Sequence, residues 1–328
     1  MRFFEIDIAK GIGIVLVVLG HALAYGCPNR LFTMIYAFHM PLFFFLSGFV
    51  FKPKNSVFDF VLGKIKSLLL PLVFFQFADN VIFYILKVAG KESCYGLVNF
   101  GGLWFITTLF YVSCLYYMIG EVALRNNKHR NIVLFFISLV SLVLGLKFAK
   151  CMVNMPNIPI ATTAVAIFFY AIGGDTQRLV RPFFSKLSDR RFGRITLLSA
   201  AGGLMFFIWW YTGSMPCEIN MYRNRYVNNL CFPFVAICGI FSVLFLGMVL
   251  HRNRVFEWLG RHSLIIYISH IPMWKVIDRF FEKYAHMGGG RSLLVFILSL
   301  SGACLFAAFV EQYAPWLEGK INDTRRKA

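Results

Sequence analysis

The chain has 328 residues, 59% of them hydrophobic, 18% aromatic and only 15% charged, with a formal net charge of +18 and a mean hydropathy of +0.68. A soluble domain of this length is usually about half apolar and about a quarter charged, so too little polar surface exists to clothe a globule in water. In a soluble protein the positive charge would suggest nucleic acid, but no basic stretch carries the interleaved aromatics or the motif of a nucleic-acid module.

Taken in chain order, apolar runs predict transmembrane helices at 6–26, 31–51, 67–88, 101–120, 131–149, 158–177, 195–213, 228–250, 263–282 and 291–313. Each is close to the ~20 residues that cross a bilayer at ~1.5 Å per residue. The runs are too long for β-barrel strands and lack period-two alternation. The fold class is therefore all-α, a polytopic transmembrane bundle of about ten helices. The loops leave no room for a separate soluble domain, so 1–328 reads as a single transmembrane domain. Glu5, Asp7 and Lys10 interrupt the first run, and no small-residue cleavage site follows it, which predicts a retained helix and not a signal peptide. With the N-terminus inside, about 22 of the 33 Lys and Arg fall in inner segments, which places both termini in the cytoplasm. Lys275, Arg279, Lys283 and Arg291 run against this rule, either because the ninth helix breaks at Pro272 or because its boundaries differ. Inner-loop charge of this kind sets topology and meets anionic lipid headgroups, so lipid is the expected partner and nucleic acid is not.

Polar residues inside the spans carry the functional signal, since an ionisable group in hydrocarbon needs a partner or a cavity. In the first span Lys10 and His21 are eleven residues apart, which at ~100° per residue brings them to one face, ~16 Å apart along the axis. Asp7 lies one turn from Lys10 on the same face and can neutralise it. Gly11, Gly13 and Gly20 leave room for close approach of another helix or a ligand. His39 in the second span either faces a shared cavity with His21 or forms a structural hydrogen bond beside Pro41. Asp79 in the third span requires a partner or a wet cavity. Trp104 can stack on a sugar ring or anchor at the interface. His270 precedes Pro272 and either lines a cavity or satisfies a carbonyl freed by the proline. The eight cysteines show no metal spacing, and no metal is expected. Cys27, Cys94, Cys151 and Cys217 fall near the outer face, where disulfides are permitted, but their pairing is open.

Several of these stretches together resemble the acyltransferase family 3 membrane proteins. Asp7-Ile-Ala-Lys10-Gly11 followed by His21 is similar to the family's first-helix signature. Phe38-His39-Met40-Pro41-Leu42-Phe43-Phe44-Phe45-Leu46-Ser47-Gly48-Phe49 and Leu103-Trp104-Phe105 resemble the branch related to fucose 4-O-acetylases. Leu259-Gly260-Arg261-His262-Ser263 through Tyr267-Ile268-Ser269-His270 resembles the family's C-terminal element. Lys10 stands where arginine is commoner, and Lys64-Ile65-Lys66-Ser67-Leu68 lacks the Arg-x-x-Arg pair found before the third helix. The resemblance implies a multi-pass protein of the cytoplasmic (inner) membrane that moves an acetyl or other short acyl group from acyl-CoA to a sugar hydroxyl of an exported glycan. It implies acetyl-CoA as co-substrate, with Lys10, Lys64 and Lys66 on its phosphates, His21 at the thioester, and Asp7 balancing Lys10. His39, Asp79, Trp104 and His270 become cavity or acceptor candidates. A transporter or flippase for a saccharide or lipid-linked substrate is the competing reading; such proteins often show paired broken helices in an internal repeat, and the sequence shows no repeat. The sequence does not speak to oligomeric state.

Overall fold

A computed structural model describes residues 3–24, 30–88, 103–152, 159–179, 191–213, 219–226, 231–284 and 290–318. Among them the chain is helical, with no named strand and one isolated bridge between Asn220 and Arg225. The helices are α1 Phe4–Leu23, α2 Arg30–Phe49, α3 Val57–Lys64, α4 Leu70–Val88, α5 Trp104–Tyr117, α6 Arg130–Cys151 and α7 Ile160–Leu179. They continue as α8 Arg191–Gly213, α9 Cys231–Val249, α10 Arg254–Arg261, α11 Ser263–Tyr284 and α12 Arg291–Tyr313, followed by a 3-10 turn at Pro315–Glu318. Each of the ten predicted spans overlaps one of these helices. Seven are long and apolar enough to cross a membrane, α5 together with the π-turn that carries it on to Ala123.

Two helices form the hub. α1 packs against α2, α9, α10, α11 and α12, while α2 also contacts α5, α7, α8 and α9. The apolar window of α2 is 78% buried, against 22% for α8. The outer helices carry exposed aromatic and aliphatic side chains such as Phe136, Phe206, Trp210, Leu305 and Phe309, as suits surfaces that meet acyl chains.

Close crossings at the hub depend on residues without side chains. A Cβ on Gly48 of α2 would lie 1.9 Å from the Tyr170 carbonyl oxygen of α7, and one on Gly173 of α7 would lie 2.0 Å from the Phe45 oxygen of α2. Backbone meets backbone at both points, so neither helix can yield by turning a side chain. Gly48→Ala is expected to cost about 1–3 kcal/mol through overpacking and to lower the thermal unfolding temperature of the detergent-purified protein. Gly202→Ala, with nothing within 4 Å of its new Cβ, is expected to leave that temperature unchanged or raise it.

Two features depart from the sequence reading. Pro272 does not break its helix, because α11 runs continuously from Ser263 to Tyr284. Transmembrane helices tolerate an internal proline when neighbours re-satisfy the freed carbonyl. Residues 254–261, read as part of an inner loop, form α10. Asn253 caps it, its side-chain oxygen accepting from Val255 N at 3.1 Å and Phe256 N at 3.2 Å. The first turns of α1 and the C-terminal turn lie at one end of the bundle, since α10 touches Asp7 and His262, which follows α10, is bonded to Glu318.

Candidate active site

At the far end of α1, His21 sits beside two other rings. Its centroid is 5.1 Å from that of His270 on α11 and 6.3 Å from that of Tyr36 on α2. Tyr36 in turn lies 4.7 Å from His39. Gly20 makes this approach possible: a Cβ there would lie 3.1 Å from the Tyr36 ring and 3.2 Å from Ile35. His21 is partly exposed, whereas His39 and His270 are buried.

The two buried imidazoles are held in the same way. Each stands two residues before a proline, in His39-Met-Pro41 and His270-Ile-Pro272. His39 Nδ1 donates to the Ile35 carbonyl at 2.9 Å, and His270 Nδ1 donates to the carbonyls of Ile266 at 3.1 Å and Tyr267 at 2.7 Å. A carbonyl only accepts, so Nδ1 carries the proton in both rings and Nε2 is left with its lone pair. His270 Nε2 is buried and has no hydrogen-bond partner. The carbonyl that Pro272 frees is that of Ile268, which is not one His270 bonds. The ring is therefore oriented by its own turn and does not patch the proline gap.

Trp104 opens α5 and is stacked on Tyr222 at 5.9 Å. Its neighbour Phe105 lies 5.5 Å from Tyr267, which lies 5.9 Å from His270. An aromatic chain thus joins Trp104 to the histidines. The Asp79 side chain lies outside the described residues, as do Cys27, Cys94 and Cys217; Cys151 is a free thiol and exposed.

The other end of α1 carries Asp7 and Lys10, close enough to attract each other. Lys10 also interacts electrostatically with Lys64. Lys64 lines a cavity of about 350 Å³ together with Lys52, Lys54, Ser47, Phe60 and Gly63. Lys66 is exposed and is not part of that wall. Positions two apart on a helix point ~200° away from each other, and of this pair only Lys64 lines the cavity. Lys52 and Lys54 stand where Lys66 was expected.

The cavity loop is fixed from beneath. Tyr117 donates its hydroxyl to the Lys54 carbonyl at 2.7 Å, and Phe60 stacks on Tyr117 at 4.2 Å. Lys54 Nζ donates to the Asp59 carbonyl at 3.1 Å, and a Cβ on Gly63 would come within 2.8 Å of that ammonium. Lys64 Nζ lies 5.5 Å over the Phe60 ring. Burial pulls the Lys64 ammonium below the usual lysine range; Cys114 opposes this, while Lys10 and Lys54 add repulsion. A π-turn at Ile65–Leu69 supplies two further wall residues, Ser67 and Leu68. Such turns are rare inside α-helices and occur frequently at functional sites.

The chain thus offers two ends of one helix: a group of convergent cations, and ~16 Å away an imidazole between two aromatic or imidazole neighbours. Anions suit the first and proton transfer suits the second. Among the described residues no His, Cys, Asp or Glu group is arranged to hold a metal. A family model described as an acyltransferase domain, that of acyltransferase family 3, matches residues 3–310. No curated protein and no solved structure matches the chain.

Proposed function

The chain belongs to acyltransferase family 3, a family of multi-pass membrane acyltransferases, and from that premise we propose that it transfers an acetyl or other short acyl group from acyl-CoA to a sugar hydroxyl of an exported glycan. The observation that carries this reading is the shared axis of α1, with cations at one end and His21 at the other. Lys52, Lys54 and Lys64 hold the coenzyme A phosphates at the cytoplasmic face, with Lys10 above them. The flexible pantetheine arm covers the ~16 Å from Lys10 to His21.

At the thioester, the unprotonated ring nitrogen of His21 takes the proton of the sugar hydroxyl. The hydroxyl oxygen forms the new ester bond to the acyl carbon, the carbon–sulfur bond breaks, and coenzyme A leaves as the thiolate that recovers a proton. His39 and His270, each with a fixed Nε2 lone pair, line the reaction end, and His270 accepts a hydrogen bond from the His21 ring or from the acceptor. Trp104 and its partner Tyr222 face the sugar. In this reading the chain sits in the inner membrane, and its charge distribution favours the orientation that puts the phosphate site in the cytoplasm.

Transfer of radiolabelled acetyl from acetyl-CoA to a saccharide acceptor by the purified protein tests the reading. Ester-linked label on the saccharide is the expected result. Passage of labelled saccharide across proteoliposomes without acylation would replace it with a transporter.

A further inference from the structure

α10 is only eight residues long, a length that does not hold a helix by itself, yet it lies directly against the donor end of α1. A Cβ on Gly11 would stand 2.1 Å from the Phe256 carbonyl oxygen, and a Cβ on Gly260 would stand 1.8 Å from the Asp7 carbonyl oxygen. The two backbones interlock through these glycines with nothing flexible between them. Any displacement of α10 is therefore a displacement of the Asp7–Gly11 turn, and that turn carries Lys10.

The far end of α10 is tied down by a second set of contacts. His262, 1% exposed, packs in a tilted arrangement against Trp258, with ring centroids 4.5 Å apart. Its Nδ1 is bonded to Glu318 of the 3-10 turn, and its Nε2 lies 3.3 Å from Glu311 of α12. Trp258 Nε1 donates to the same Glu311 carboxylate at 3.1 Å. The Glu318 side chain is 5% exposed, and Leu317 beside it is buried. The buried Glu318 carboxylate and the buried His262 imidazole partner each other, so removing either takes a hydrogen-bond partner from a buried polar group.

We propose that His262, Glu311 and Glu318 form a latch that clamps α10 onto α1 and so positions Lys10 for the acyl donor. His262 is a positioning residue: it acts on the donor through α10 and Lys10. None of the three lines the lysine cavity, and His21 is at the opposite end of α1, held among α2 and α11 side chains. Loosening the latch therefore loosens donor binding and leaves the acyl-transfer step nearly as it was. This inference rests on the acyl-transfer reading.

The test compares His262→Ala, Glu318→Ala and Glu318→Gln with wild type, measuring coenzyme A binding by calorimetry and KM for donor and acceptor separately. Glu318→Gln keeps an oxygen for the Nδ1 proton and is expected to stay within about twofold of wild type, while both alanine variants raise the donor KM and the coenzyme A Kd about five- to tenfold. Acceptor KM is expected to be unchanged. A merely structural role would reduce the fraction of active protein, and hence the maximal rate, without moving a KM. Glu311→Gln, at a side chain 42% exposed, supplies a milder break if the alanine variants do not fold, with a smaller rise in donor KM. Wild-type donor KM and Kd in all folded variants would overturn the latch while acyl transfer stands. Absence of both coenzyme A binding and transfer in wild type would overturn the acyl-transfer reading, and the latch with it.

Discussion

His21→Ala is expected to lower the turnover of acetyl transfer by about 10²–10⁴-fold, the usual contribution of a positioned general base. The donor KM should change little, because the cations that hold coenzyme A lie at the other end of α1. The fold should survive. His21 is partly exposed, and its ring neighbours His270 and Tyr36 keep their own anchors: His270 Nδ1 stays bonded to two carbonyls of its turn, and Tyr36 stays packed against Phe32 at 4.0 Å. Transfer of radiolabelled acetyl, measured alongside the thermal unfolding of the same preparation, separates the loss of chemistry from the loss of structure. Unaltered turnover in a folded His21→Ala protein would remove His21 from the reaction. His270→Ala should fall between the two, since it removes a neighbour of the base and leaves the base in place.

The bundle was legible because hydrocarbon imposes a length: every run near 20 residues in the sequence became a helix, with ends moved by at most a few residues. The face shared by Asp7, Lys10 and His21 was legible for the same kind of reason, since helical geometry alone aligns positions 7, 10 and 21. What the reading missed depends on packing between elements. Lys52 and Lys54 were visible only as inner-loop charge, because nothing in the local pattern says that the Lys54 carbonyl is held by Tyr117, 63 residues away. The resemblance offers Lys64 and Lys66 together, and only the packing around the cavity shows that Lys64 alone of the two lines it. Tyr36 escaped notice as one more aromatic in an apolar run; the signal was Gly20, which opens the space that Tyr36 fills. α10 did leave a trace, in the Asn253 cap followed by Val255, Phe256 and Leu259 at helical spacing. The role of Gly260 could not be read, because its contact is with the Asp7 carbonyl, 253 positions earlier in the chain.

Replacing Lys54 and Lys64 together by alanine is expected to raise the donor KM by about 10²-fold or more. A hydrogen bond to a charged group is worth about 1.5–3 kcal/mol, so each lost ammonium–phosphate contact weakens donor binding by roughly ten- to a hundredfold. The two losses should fall short of additive, because Lys54 and Lys64 repel each other across the cavity and removing one relieves the other. That repulsion also predicts the sign of a second measurement. Without an anion, Lys64 is held below the usual lysine range by burial, with Lys10 and Lys54 adding to it; a bound phosphate supplies the opposite charge and raises it. Donor binding is therefore favoured where Lys64 is protonated and weakens as pH rises through its lowered range, earlier than for an ordinary lysine. In Lys54→Ala alone the weakening should move to higher pH, because one source of repulsion has gone. Coenzyme A affinity measured by calorimetry across alkaline pH checks both the magnitude and the direction. A donor KM within twofold of wild type in the folded double variant would move the phosphates away from this cavity, while turnover at saturating donor should remain close to wild type because His21 is untouched.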